Sequence, residues 1–418
     1  MSQFKKTILP SGIKIISESV PYLKSFSLGF WFDVGSRDET ASNNGITHFI
    51  EHMLFKGTQK RSALQIANEI EACGGYLNAF TSKEHTCYYG RGLGSHIEKT
   101  FDVLADMVQY PAFKPSEIKK EASVVIDELY DIEDNPEELI FDEFEGLVFK
   151  GNSLTLPIIG TENNISGFTP EDLNKYMAGK YGFNKLVIGA SGAVEHEQLV
   201  RLAEKYINKN FGKSDVKRKA VGLRKNKYAA KTIAKDIQQV HAILGKPTYG
   251  YKDKKRTAAA VFSQILGEGS SSRLFQAVRE KNGIAYQVNS FLNSFKDIST
   301  FGVYLSTNEK MMDKALSIIY KELKKIREKK VSEKELSKAK ESIKGSIILG
   351  LENTSNRMIR MTQSEIYFNK VITAEESISD VEKVSVNDIT EIANELADEN
   401  TMQKILIKSQ KTNVKIAE

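Results

Sequence analysis

His48, Glu51 and His52 stand at a spacing that can do chemistry. In a helix, residues at i, i+3 and i+4 are neighbours on one face. Two imidazoles one turn apart can grip one metal ion, and the carboxylate between them can reach a water on that ion. The pattern His-x-x-Glu-His is the His-Glu-x-x-His zinc motif with its order inverted, and it points to metal-assisted hydrolysis. A polar helix face turned to water would use the same letters. The chain holds only six histidines, however, so a chance match is on the order of one chain in a hundred. Ile46, Phe49, Ile50, Met53 and Leu54 fall on the other face as an apolar stripe that must be buried. The helix is expected over 45–56, with Asn43 or Asn44 as its N-cap and Gly57 as its stop.

A catalytic zinc takes three protein ligands and keeps a fourth position open. The stretch 116–133 offers the third. Its stripe Ile118, Ala122, Val125, Leu129 and Ile132 predicts a helix, and Glu121 and Glu128 border that stripe on one side. A carboxylate at the edge of a core face costs free energy unless it finds a cation or donors. Physics alone leaves the choice between Glu121 and Glu128 nearly even. Asp127 and Asp131 read as solvated.

These residues resemble those of the pitrilysin/insulinase family of zinc metallopeptidases, and most closely its mitochondrial-processing-peptidase-like branch of bacterial type. The likeness extends to GITHFIEHMLFKGT, GGYLNAFTSKEHTCYY, VVIDELYDIEDNP, PIIGTENNISGFTPEDL and GSSSRLFQAVREKNGIAY. It spans most of 9–305, while the last hundred or so residues match only in helical character. The resemblance implies a zinc-dependent endopeptidase with one Zn2+ per chain. It implies His48, His52 and Glu128 as the metal ligands, since Glu128 follows His52 at the distance where the family carries its third ligand. Glu121 matches a family glutamate seven residues before that ligand, and would orient a histidine or otherwise support the site. Glu51 would be the general base on zinc-bound water. Arg279 and Tyr286 match the family's arginine–tyrosine pair, which would stabilise the oxyanion or the substrate. Asn78 and Ala79 match the part of an edge strand that lies closest to the peptide backbone. His85, whose family counterpart is often another residue, is read as solvent-facing, and His96, His196 and His241 as structural. The fold implied is two related α+β domains, each an antiparallel sheet flanked by helices. Residues 1–215 would carry the metal and 216–418 would supply the Arg279/Tyr286 pair. Pairs of chains would enclose a chamber for unfolded peptides or presequences. Since this chain carries both elements, a homodimer is expected, with each site completed in trans.

Periodicity and turn residues predict the elements that position these groups. Strand-like runs at 6–9, 13–17 and 25–34 open the chain, and Pro10-Ser11-Gly12 turns the first into the second. Strands at 76–82 and 85–93 follow the motif helix and a second helix at 63–72. The C-terminal half repeats the order, with strands at 240–244, 286–292 and 300–306, long helices at 310–329, 333–349 and 354–368, and a last strand at 402–407. Strands and helices mix without regular βαβ alternation, which itself predicts an α+β fold. The lysine-rich stretch 208–227 predicts a connector.

Composition narrows the function classes. A length of 418 residues predicts two or three domains. With 59 basic and 54 acidic residues, the net charge of +5 is too small and too dispersed to point to nucleic acid, and no such partner is expected. GEGSSSR lacks the Gly-Lys-Ser/Thr ending of a phosphate-binding loop. No apolar run reaches the roughly 18 residues of a membrane span, and the N-terminus shows no signal-peptide core. Cys73 and Cys87 are too few for a disulfide framework or a thiolate zinc site. The expected location is the cytoplasm, away from membranes.

Overall fold

A computed structural model describes residues 3–208, 212–214, 216–223 and 228–410. Of the expected connector 208–227, positions 209–211, 215 and 224–227 lie outside the described residues. The strands form two sheets. The first contains β1 (Gln3–Ile8), β2 (Lys14–Ser19), β3 (Ser25–Phe32), β4 (Tyr76–Thr81), β5 (Thr86–Leu93) and β6 (Leu186–Gly192), in the order β1-β2-β6-β3-β5-β4. The second contains β7 (Ala230–Lys235), β8 (Val240–Tyr249), β9 (Ala285–Ser294), β10 (Ile298–Thr307) and β11 (Gln403–Ser409), in the order β7-β11-β8-β10-β9.

The expected α+β architecture is present, two mainly antiparallel sheets flanked by helices, and each sheet also contains one parallel pair. β6 lies between β2 and β3, parallel to the first and antiparallel to the second. β11 lies between β7 and β8 in the same way. A strand inserted between two neighbours that run in opposite directions must be parallel to one of them. The shared insertion is also what makes the two sheets related in topology, with helices packed on both.

Packing groups the chain differently from a single cut between 1–215 and 216–418. One compact unit comprises the chain up to Asp131, Leu156–Lys219 and Ile348–Thr373, and the other comprises Ile132–Thr155, Ala220–Ile347 and Ala374 onward. Each half of the sequence thus gives one helix to the sheet of the other half. In the first unit, helix Thr354–Phe368 lies on β2, β3 and β6. Glycines make that approach possible: a Cβ on Gly189 would meet Thr362 Oγ1 at 2.1 Å, and one on Gly29 would meet Met358 Sδ at 2.9 Å. The Trp31 indole N–H points at Met358 Sδ (3.1 Å), and Arg357 pairs with the buried Glu18 (2.5 Å). Losing one partner of such a buried pair leaves an uncompensated charge, so the contact fixes where the helix sits. In the second unit, helix Pro136–Val148 packs on β8 and β11, and Gly245 makes room for the ring of Phe144. Its Phe141 meets Phe291 edge-on, with ring centroids 4.9 Å apart. A linear reading keeps sequence neighbours together, whereas burial of an apolar helix face depends only on which sheet offers a matching groove.

Candidate metal centre

The motif helix spans Ile46–Leu54 and buries its stripe of Ile46, Phe49, Ile50, Met53 and Leu54. Its start is not capped by Asn43 or Asn44, as the sequence predicts. The cap is Glu39, from the turn before. Its Oε2 accepts from Gly45 N (2.8 Å) and Asn44 Nδ2 (2.9 Å), and its Oε1 accepts from Thr47 N (2.8 Å). Gly45 N and Thr47 N are backbone donors at the helix start that need an acceptor, and an anion is favoured at that end. The capping residue lies several positions upstream of the usual window, and Gly45 enters the helix at φ +97°.

Burial pushes the Glu39 carboxyl up to about 7 from 4.5, against the pull of its Thr47, Asn44 and Gly45 donors. The protonated form is therefore favoured more in the folded chain than in the unfolded one. Stability from this group is fully present below about 4.5 and is lost as pH rises through about 7. We expect a loss on the order of 3 kcal/mol over that window. Urea denaturation at a series of pH values should show this slope, and Glu39→Gln should flatten it; a variant with the wild-type slope would place the titrating group elsewhere.

His48 Nε2 lies 3.8 Å from Glu128 Oε1, and His52 Nε2 lies 3.5 Å from Glu128 Oε2. The two imidazole centroids are 4.6 Å apart. One donor atom from each of His48, His52 and Glu128 lies within 4.8 Å of the other two, the one such convergence among the described residues. Helix Pro115–Asp134 delivers Glu128 by burying Ile118, Val125 and Leu129, while Asp127 and Asp131 face solvent. The same helix places Glu121 behind His52. Glu121 Oε1 is 2.9 Å from His52 Nδ1, and Glu121 Oε2 is 2.6 Å from Lys56 Nζ. That contact orients the ring so that Nε2 faces Glu128.

The electrostatics suit a cation. Burial, with His52 adding to it, pushes His48 down to about 3, so its imidazole is neutral and can donate a lone pair. Burial opposes charge on Glu121, but His52 and Lys56 outweigh it and hold its carboxyl below the usual range. For His52 burial again works against charge, and Glu121, Glu128 and Glu51 together overcome it. His48 Nδ1 is buried without a hydrogen-bond partner among the described residues. Two imidazole nitrogens with one carboxylate fit the three-ligand, open arrangement of a catalytic zinc. They do not fit the all-oxygen shell that calcium or magnesium takes.

Glu51 is half-buried beside this group, and Thr81 Oγ1 donates to its Oε2 at 2.5 Å. Burial raises its pKa, while Thr81 and His52 pull it down and Glu128 adds to the rise. Thr81 ends β4, the edge strand of the first sheet. Asn78 and Ala79 lie on that strand. Ser82 N donates to His85 O, which makes that a hydrogen-bonded pair. Alternation along the ladder then leaves Ala79 and Thr81 in pairs whose backbone groups point away from β5. Asn78 Oδ1 accepts from Ala79 N (2.8 Å), and Asn78 Nδ2 donates to Tyr76 Oη (2.7 Å).

His85 is not solvent-facing. It is 5% exposed, with its ring 5.3 Å from Trp31 and 6.2 Å from Tyr367, and burial pushes its pKa down to about 4. It lies under helix Thr354–Phe368, whose docking here no local pattern announces. His196 bonds Thr7 and Ser17, and His241 bonds Tyr304. In the second unit, Arg279 lies on the π-helix Phe275–Glu280 and Nη1 donates to Tyr286 O at 2.8 Å. Its guanidinium is 5.2 Å from the Tyr286 ring, and the tyrosine is 73% exposed. The structure therefore gathers Glu51, Glu121 and β4 around His48, His52 and Glu128, and separately brings Arg279 and Tyr286 to each other. Glu39, Lys56 and Thr81 carry no spacing signal that would have singled them out.

Residues 14–162 match the family model "Insulinase (Peptidase family M16)", and residues 167–343 match "Peptidase M16 inactive domain". An uncharacterized zinc protease of Streptomyces coelicolor is 34% identical over 398 residues, covering 94% of this chain and 87% of that protein. Uncharacterized zinc protease YmxG of Bacillus subtilis is 35% identical over 398 residues, covering 95% and 96%. Among solved structures, a protease from Helicobacter pylori matches with a TM-score of 0.87 at 22% identity, over 97% of this chain and 99% of that one. A peptidase M16 inactive domain from Pseudomonas fluorescens matches with a TM-score of 0.90 at 19% identity, over 97% and 98%. At those identities the two structures speak to the fold.

Proposed function

The chain belongs to the insulinase family, peptidase family M16, and on that premise we propose that it is a zinc-dependent endopeptidase of unfolded peptides or presequences. The observation that carries this reading is the convergence of His48, His52 and Glu128 with Glu51 beside them. One such group among the described residues supports one zinc per chain.

Zinc held by His48, His52 and Glu128 would make water acidic enough to supply hydroxide near neutral pH and would polarise a carbonyl. The chain's own residues do the rest. Glu121 accepts the His52 Nδ1 proton and so keeps Nε2 available. Thr81 occupies Glu51 Oε2, which leaves Oε1 to take a proton from water and pass it to the leaving amine. The outward backbone groups of β4 near Asn78 and Ala79 can receive a peptide as an added strand, a mode that reads shape more than sequence. Arg279 and Tyr286 are read as donors to the oxyanion, where a lost donor costs about 2.7–4 kcal/mol. Because one chain carries both sets of residues, the reading includes a homodimer whose chamber sites are completed in trans. A cytoplasmic location belongs to the same reading, and Cys73 and Cys87 being free supports it. No described helix is long and apolar enough to cross a membrane.

Two experiments test the reading. Digestion of an unstructured peptide library, followed by mass spectrometry, should show cleavage that chelation abolishes and zinc restores; no cleavage by zinc-loaded protein would overturn it. For completion in trans, Glu51→Gln and Tyr286→Phe chains are each expected to be nearly inactive. Mixing them should recover activity, since some sites then contain both intact residues, and no recovery under exchange conditions would put both sets in one chain.

A further inference from the structure

We propose that Thr81 is a positioning residue for Glu51, and that through it the peptide-receiving edge strand also sets the base. The inference rests on the peptidase reading and adds a residue to it. Thr81 is the last residue of β4, and Leu77, Ala79 and Thr81 share one face of that strand. That face meets helix Ile46–Leu54, which carries Glu51. The Thr81 hydroxyl, donating to Glu51 Oε2 at 2.5 Å, is the one hydrogen-bond donor to this carboxylate among the described residues.

The two partners differ in stiffness. A threonine on a strand has few rotamers, because branching at Cβ restricts its first torsion. A glutamate has three torsions and swings freely unless something holds it. The strand therefore fixes the hydroxyl, and the hydroxyl fixes the carboxylate. Backbone groups of Ala79 and Thr81 point outward from the sheet, so a peptide added there would clamp the same stretch of β4. Binding and base alignment then share one short segment. A threonine that merely satisfied its own hydroxyl would have no reason to influence kcat selectively.

Thr81→Val keeps the shape and removes the donor, while Thr81→Ser keeps the donor. On a quenched peptide that the wild type cleaves, Thr81→Val should lower kcat by about 10–100-fold with KM moved less than about twofold. Thr81→Ser should restore most of kcat. Zinc content and peptide affinity, measured in the Glu51→Gln background, should not change with Thr81→Val. In that background Thr81→Val should also leave the residual rate alone, because the base on which it acts is already gone. Equal loss in both backgrounds, a rise in KM without a fall in kcat, or failure of serine to rescue would overturn the proposal. Should Thr81→Val lose zinc or unfold, Thr81→Ala decides: a fall in kcat with zinc retained supports the role of the hydroxyl, and wild-type kcat overturns it. A wild-type protein that cleaves no peptide would instead sink the peptidase reading, which separates the two failures.

Discussion

Glu51→Gln is expected to lower kcat on a peptide substrate by about 10²–10⁴-fold while zinc stays bound. The amide has nearly the shape of the carboxylate, and its oxygen can still accept from Thr81. His48, His52 and Glu128 are untouched, so the metal should remain. On the proposed reading, what disappears is the ability to take a proton from water and return it to the amine. Partial burial beside Glu128 raises the carboxyl's proton affinity, while Thr81 and His52 restrain the rise, and this makes it a stronger base than an exposed carboxylate. Steady-state kinetics together with zinc content by atomic emission check the prediction. Unchanged kcat, or loss of zinc in this variant, would show that Glu51 has a different task.

Glu128→Gln should cost the zinc itself. A neutral amide oxygen is a far poorer partner for a divalent cation than a carboxylate, and two imidazoles alone leave the site one ligand short. Zinc content should fall from about one per chain toward none, and activity with it. Glu121→Gln should behave differently, since Glu121 touches His52 rather than the gap between the ligands. Its loss should weaken zinc affinity by about 10–100-fold and leave turnover largely intact once zinc is in excess. Equilibrium dialysis against a zinc-buffered series separates the two variants. Reversed behaviour would exchange the roles of the two glutamates.

That comparison marks how far the sequence could be read. Glu121 and Glu128 are two turns apart on one helix and border the same apolar stripe, so no local pattern ranks them. The family resemblance favours Glu128, and the geometry shows why each glutamate has its own neighbour. Glu128 faces both imidazoles, whereas Glu121 sits against the back of one and against Lys56. His85 shows the opposite outcome. Read locally it is a polar residue in a turn; in the fold a helix from more than 260 residues away covers it.

By itself the chain's order of residues determined that His48, Glu51 and His52 share a helix face and that Ile46, Phe49, Ile50, Met53 and Leu54 turn the other way. It also determined most strand and helix positions, because the 3.6-residue and two-residue periods act between near neighbours. Only tertiary structure decided which glutamate meets the histidines, that Glu39 caps their helix, that Thr81 holds Glu51, and which helix covers which sheet. These contacts join segments far apart in the chain. Their partners are chosen by burial and steric fit, as where Gly189 leaves room for Thr362, and periodicity carries no record of such a choice.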